Sequence, residues 1–222
     1  EDLKLTSAGN GVSTWTLDTS SSADGKYTLT NFPGFALIKN TGPAVMNIND
    51  ADINFTGTGG YSSGTARWLF HTDAHNDASL NSTWNIGNTT KININGSKLM
   101  MYTSQFHHGH RDLEFNTAAD VNESGDGKNV IWMALNVRAG YTGPGYNPHS
   151  FPYRTQSFNN TGTITLTGQE SIFTYIDAPV QNDSDPSPSA VTVGNGDKAE
   201  TSNGWTVSTG TLKLNGQKET GI

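Results

Sequence analysis

The 222-residue chain contains no cysteine, which excludes disulfides, thiol nucleophiles and thiolate metal sites together. It has no basic excess either. At a net charge of −7 there is no stripe of cations to neutralise a phosphate backbone, so nucleic acid is not an expected partner. No stretch approaches the roughly 18 apolar residues of a spanning helix, and the chain is not expected to cross a membrane. Its first residues, EDLKLTSAGNG, lack the basic and apolar blocks of a signal peptide, which reads as a cytosolic protein or a mature fragment. Leu, Ile, Val and Phe make up only 42 residues, close to the level of disordered chains. The charge is too modest for disorder, however, and the apolar residues fall in short ordered runs. A folded chain with a thin core is the expectation.

Helical spacing is almost missing, while strand patterns recur. VSTWTL (12–17), KYTLTNF (26–32), VMNIN (45–49), ADINF (51–55), KININ (91–95), NVIWMALNV (129–137), GTITLTG (162–168), SIFTYI (171–176), AVTV (190–193) and GWTVSTGTLKL (204–214) alternate apolar with polar residues and stop at Gly, Asn or Asp. Four stretches share a strand, tight turn, strand pattern: 45–57, 90–102, 162–175 and 210–222, turning at Asp50, Gly96, Gly168 and Gly216. The turns are 46, 72 and 48 residues apart, close to multiples of a period of roughly 23–24. That period predicts an all-β parallel β-helix, a solenoid in which matching Ile and Leu residues such as Ile48, Ile94, Leu166 and Leu214 stack into one core. A sandwich of antiparallel hairpins is the competing arrangement. The chain is read as one unit over 1–222, with excursions at 57–88 and 102–158 and an exposed Pro/Ser/Asp-rich loop at 180–189.

Two of these stretches, NNTGTITLTGQESIFTYI (159–176) and TGTLKLNGQKETGI (209–222), resemble the repeats of large autotransporter adhesins of the fusobacterial type. The likeness is most specific over 159–222, weak over 45–102, and does not extend to the excursions. It implies a right-handed β-helix passenger, exported through an outer-membrane barrel to the bacterial cell surface. It also implies adhesion to a receptor, glycan or protein, on a host or neighbouring cell. The chain would be a non-spanning, monomeric fragment of something larger. The resemblance supplies no catalytic motif and no binding residue.

Those have to come from the chemistry of the excursions. All six histidines and all four arginines lie between Arg67 and Arg154, whereas the nine lysines are spread over the whole chain. QFHHGHRD (105–112) alone brings His107, His108, His110 and Arg111 together, and His71-Thr-Asp73-Ala-His75 repeats with strand alternation. Imidazoles with carboxylates suit zinc or nickel. No helix holds two of them at HExxH spacing, though, and hydrogen-bonding histidines on a polar surface are the reading adopted. No metal or cofactor is therefore assigned. Tyr141, Tyr146, His149, Tyr153 and Arg154 sit among Gly143, Pro144, Gly145, Pro148 and Pro152. Such stiffened aromatic segments lose little entropy on binding. With Trp68, these residues form the expected ligand-binding set: Trp68, His71, His75, His107, His108, His110, Arg111, Tyr141, Tyr146, His149, Tyr153 and Arg154.

Catalytic readings are weaker. Asp120 to Gly127 imitates the start of a calcium loop, but its twelfth place is Ile131 rather than a bidentate carboxylate. Asp112 with Glu114, or Glu123 with Asp126, are the carboxylate pairs that glycan cleavage would need. No GxSxG turn or phosphate-cradling loop is present. The expected function is adhesion without turnover. A β-helix polysaccharide lyase or glycoside hydrolase is the alternative.

Overall fold

The computed structural model describes residues 3–5, 13–18, 26–29, 36–40, 44–59, 67–74, 82–106, 112–125, 127–136, 155–177, 190–193, 204–208 and 210–215. These form strands and turns, with no helix among the described residues. In chain order the strands are β1 (Leu3–Leu5), β2 (Ser13–Asp18), β3 (Lys26–Leu29), β4 (Ala36–Asn40), β5 (Ala44–Asn49), β6 (Asp52–Thr58), β7 (Arg67–Ala74), β8 (Ser82–Ile86), β9 (Lys91–Ser97) and β10 (Leu99–Phe106). They continue as β11 (Leu113–Thr117), β12 (Asp120–Glu123), β13 (Val130–Asn136), β14 (Thr155–Asn160), β15 (Thr163–Leu166), β16 (Ile172–Asp177), β17 (Ala190–Val193), β18 (Gly204–Ser208) and β19 (Thr211–Leu214).

They assemble into three sheets. Sheet 1 runs β1-β4-β7-β10-β13-β16, sheet 2 runs β2-β5-β8-β11-β14-β18-β17, and sheet 3 runs β3-β6-β9-β12-β15-β19. Consecutive strands thus enter sheets 1, 2 and 3 in rotation, and each pairs with the strand one circuit later. Only β17, which pairs with β18, is additional. Every described pair is parallel, and the antiparallel hairpins of a sandwich do not occur among the described strands.

Parallel stacking in register turns the alternation within one strand into columns across a sheet. In sheet 3, Ile53, Ile92, Val121 and Ile164 are successive partners, all buried. In sheet 2, Met46, Trp84, Phe115 and Phe158 stack likewise. Phe115 and Phe158 lie 5.3 Å apart with rings 4° from parallel, and Tyr102 of sheet 1 closes on Phe115 at 4.3 Å. Ile48, Ile94 and Leu166 share this one core as expected, while Leu214 on β19 is exposed.

The outward columns are polar. Asn85 donates to Asn47, Asn116 to Asn85 and Asn159 to Asn116, at 3.0, 3.0 and 2.8 Å, forming an amide row across sheet 2. On sheet 3 the facing partners Lys26, Asp52, Lys91 and Asp120 alternate in charge. Opposite charges on neighbouring strands favour this register, and a slip would bring like charges closer.

Three sequence expectations need correction. The repeat is not 23–24 residues. From Ile92 to its partner Val121 is 29 positions, and from Val121 to Ile164 is 43. The stretch at 45–57 was misaligned, because its turn at Asp50 joins sheet 2 to sheet 3, whereas Gly96 and Gly168 lie where sheet 3 leads into sheet 1. The partner of Gly96 is Gly57, not Asp50. Finally, the supposed excursions are largely sheet. Residues 57–88 supply β7 and β8, and 102–158 supply β11, β12, β13 and most of β10 and β14. The loop at 180–189 lies outside the described residues.

Candidate functional site

Two of the three corners are tight, for chemical reasons. Sheet 2 turns into sheet 3 through as few as two residues, as at Asp50–Ala51, where Asp50 takes a left-handed φ of 52°. Sheet 3 turns into sheet 1 past a column of glycines. A β-carbon on Gly96 would fall on the backbone of Gly57, one on Gly125 on that of Gly96, and one on Gly168 on that of Gly125. Only glycine lets these backbones approach so closely. The longer turn at 124–129 is clipped from inside by Glu123, which is fully buried. Its carboxylate accepts from the backbone N–H of Gly125 at 2.9 Å, Asn129 Nδ2 at 2.7 Å and the N–H of Gly168 at 3.1 Å. Asn129 also accepts from Leu99 N at 2.9 Å and donates to Gly96 O at 3.0 Å.

The third corner, from sheet 1 to sheet 2, is where the chain is long. Its connections after β7, β10 and β13 are residues 75–81, 107–112 and 137–154. Their departure points are partners, Phe106 pairing with both Ala74 and Asn136. Their return points are partners too, Leu113 pairing with both Ser82 and Gln156. Three successive segments therefore leave and rejoin the sheets at the same place, one strand spacing of about 4.8 Å apart. They carry His75, His107, His108, His110, Arg111, Arg138, His149 and Arg154, eight of the ten histidines and arginines, with Tyr141, Tyr146 and Tyr153. The clustering along the sequence is a consequence of three adjacent insertions at one corner. Among the twelve expected binding residues, these segments hold His75, His107, His108, His110, Arg111, Tyr141, Tyr146, His149, Tyr153 and Arg154. All ten lie outside the described residues.

The other two, Trp68 and His71, are on β7. His71 is 1% exposed, so the expected surface imidazole is a packed one. Its ring stacks on Trp68 at 4.4 Å, and its Nδ1 faces the Thr103 carbonyl oxygen at 3.2 Å. Trp68 is half-buried and donates its indole N–H to Met100 Sδ at 3.0 Å. Both belong to the outward side of sheet 1, where Met100, Val130, Met133 and Ile172 form a second apolar cluster.

Beneath the long corner, the interior is polar in a way that sequence reading missed. Trp84 and Tyr102 both donate to the Thr72 hydroxyl, at 2.7 and 3.4 Å. Trp132 donates to Ser104 at 3.0 Å, and Ser104 in turn donates to Gln156. All six side chains are buried. Burial pushes the Tyr102 phenol well above its ordinary 10.0, with the hydrogen bonds to Thr72 and Ser104 opposing the rise. The alternation of β7 and β10, which puts Thr72 and Ser104 inward, was the available signal.

The catalytic alternatives lose their geometry. Asp120 and Asn122 face outward from β12 while Glu123 faces in, so the three do not converge as a calcium loop would require. Glu123 is engaged in the corner clip and cannot pair with another carboxylate across a glycosidic bond. Among the described residues no three His, Asp or Glu gather into a potential metal site, and no helix is long and apolar enough to cross a membrane. No protein-family model, curated protein or solved structure matches the chain.

Proposed function

We propose that the chain is a right-handed parallel β-helix from a bacterial surface adhesin. On this reading it binds a receptor on a host or neighbouring cell, glycan or protein, through the segments at the sheet 1 to sheet 2 corner, without turnover. The observation that carries the reading is the shared anchoring of those segments. Three parallel, in-register sheets entered in rotation support the solenoid. Two tight corners and amide-lined walls make a rigid frame, and a rigid frame that presents loops of different chemistry is how recognition surfaces are commonly built. Arginine and tyrosine supply forked hydrogen bonds and flat apolar area, the chemistry that dominates binding hot spots. The walls offer Lys, Asn and Thr, which solvate but discriminate little. The bacterial surface location rests on the repeat resemblance of residues 159–222.

The test is a cell- or glycan-array binding measurement with single variants. Arg111→Ala, Tyr146→Ala and Arg154→Ala are expected to weaken binding by about 1–3 kcal/mol each where the residue is a hot spot. Lys91→Ala and Lys213→Ala, on exposed wall positions, are expected to bind as the parent chain does. Equal losses from wall and corner variants would refute the assignment. Release of sugar from a host or microbial glycan by the purified chain would replace adhesion with the carbohydrate-active alternative.

A further inference from the structure

We propose that the sheet 1 to sheet 2 corner holds one divalent zinc-type ion between two adjacent connections, with His75 on one and His107 or His108 on the other. The argument starts from register. Ala74 and Phe106 are paired neighbours at the ends of β7 and β10. His75 is the residue after Ala74, and His107 and His108 are the two after Phe106. Two histidine-bearing segments therefore begin side by side, about 4.8 Å apart. Zinc holds imidazole nitrogens at roughly 2.0–2.1 Å, so two ligands of one ion come from backbones separated by about this much.

The pairing is specific to these circuits. At the equivalent place after β4 the chain reads Thr41-Gly42-Pro43, and after β16 it reads Ala178-Pro179-Val180. Neither offers a ligand. With cysteine absent, the available donors are nitrogen and oxygen, and imidazole in such a set favours zinc, copper or nickel over calcium or magnesium. The net charge of −7 favours a cation. Because no three potential ligands gather elsewhere among the described residues, the walls offer no competing site, and a stoichiometry of one is expected.

The proposal uses the same corner as the receptor reading but needs no receptor, so the two fail separately. Calorimetric titration of the full chain with zinc chloride at neutral pH should show one saturable site. His75→Gln should weaken it at least tenfold, and so should either His107→Gln or His108→Gln. No saturable binding, or unchanged affinity in His75→Gln beside a large loss in the His107 or His108 variant, would overturn it. The second result would mean that the ion is held within one segment. A gain-of-signal variant guards against trivial unfolding. Since the chain has no cysteine, His75→Cys introduces a single thiol, and cobalt(II) added to that variant should give a thiolate-to-cobalt charge-transfer band absent from the parent. Its absence in a variant whose circular dichroism matches the parent's would also overturn the proposal.

Discussion

Glu123 stands where its partners across sheet 3 are Ile94 and Leu166, and all three are buried. An aliphatic residue would continue the column but leave two backbone N–H groups and the Asn129 amide without their acceptor. Glu123→Leu should therefore destabilise by about 3 kcal/mol or more, even though it restores the apolar pattern. Glu123→Gln should cost less than Leu but more than zero, because its NH2 must face one of those donors. Urea unfolding of both variants measures the order. Tyr102 gives a second prediction, on pH. Its folded-state pKa is raised by burial, so its contribution to stability is complete below the unfolded value of about 10 and declines as pH rises beyond it. Tyr102→Phe should lose about 1 kcal/mol at neutral pH, for the hydrogen bond to Thr72. It should also show a shallower fall in melting temperature than the parent between pH 10 and 11. Parallel curves would mean that Tyr102 does not govern the alkaline limb.

The elements show what a turn can tolerate. Gly96 and Gly127 lie near the same corner but differ in surroundings. A β-carbon on Gly96 would strike Gly57 backbone, whereas on Gly127 it would meet only Ser97 Oγ, at 3.4 Å. Gly96→Ala should cost about 1–3 kcal/mol through forced displacement of a packed strand. Gly127→Ala should lie within about 0.5 kcal/mol of the parent. Thermal melts of the pair check this, and equal effects would deny the glycine column its role. Ten strand regions were legible in the sequence because their alternation is clean, as in KININ of β9. Others were hidden by composition. DVNE of β12 places a carboxylate at an inward position, and TQSFNN of β14 is polar on both sides, with Gln156 and Ser157 both buried. RWLFHTDA of β7 breaks alternation because Leu69 and Phe70 both enter the core, so it was taken for an excursion. Two of the twelve candidate binding residues were misjudged for the same reason. His71 and Trp68 looked like loop residues only because their strand was not recognised. The convergence of the other ten on one corner could not be read from sequence, since it depends on which strand ends are partners.

For the whole molecule, the inequality of the corners predicts where the chain accepts change. A two-residue insertion between Asp50 and Ala51 displaces β6 from its partners and should cost several kcal/mol, as a register slip turns core side chains outward. The same insertion within 140–150 only lengthens a long connection, and closing a slightly longer loop costs well under 1 kcal/mol. Melting temperatures of the two insertion variants should differ by many degrees. If they fall together, the long connection is as integral to folding as the walls.

The packing of Gly96 against Gly57 also bears on chemical ageing. Asn95 precedes Gly96, and Asn-Gly is the pair most prone to lose its amide, by attack of the glycine nitrogen on the preceding side-chain carbonyl. That attack needs a backbone free to fold back on itself. Here Asn95 is exposed to water, yet it lies in β9 with its partner Thr56, and the next position is fixed by the Gly57–Gly96 pair. Peptide mapping after weeks at mildly alkaline pH should find Asn95 intact in the folded chain and converted to aspartate and isoaspartate in urea. The glycine that permits the tight corner would then also keep its exposed neighbour from degrading.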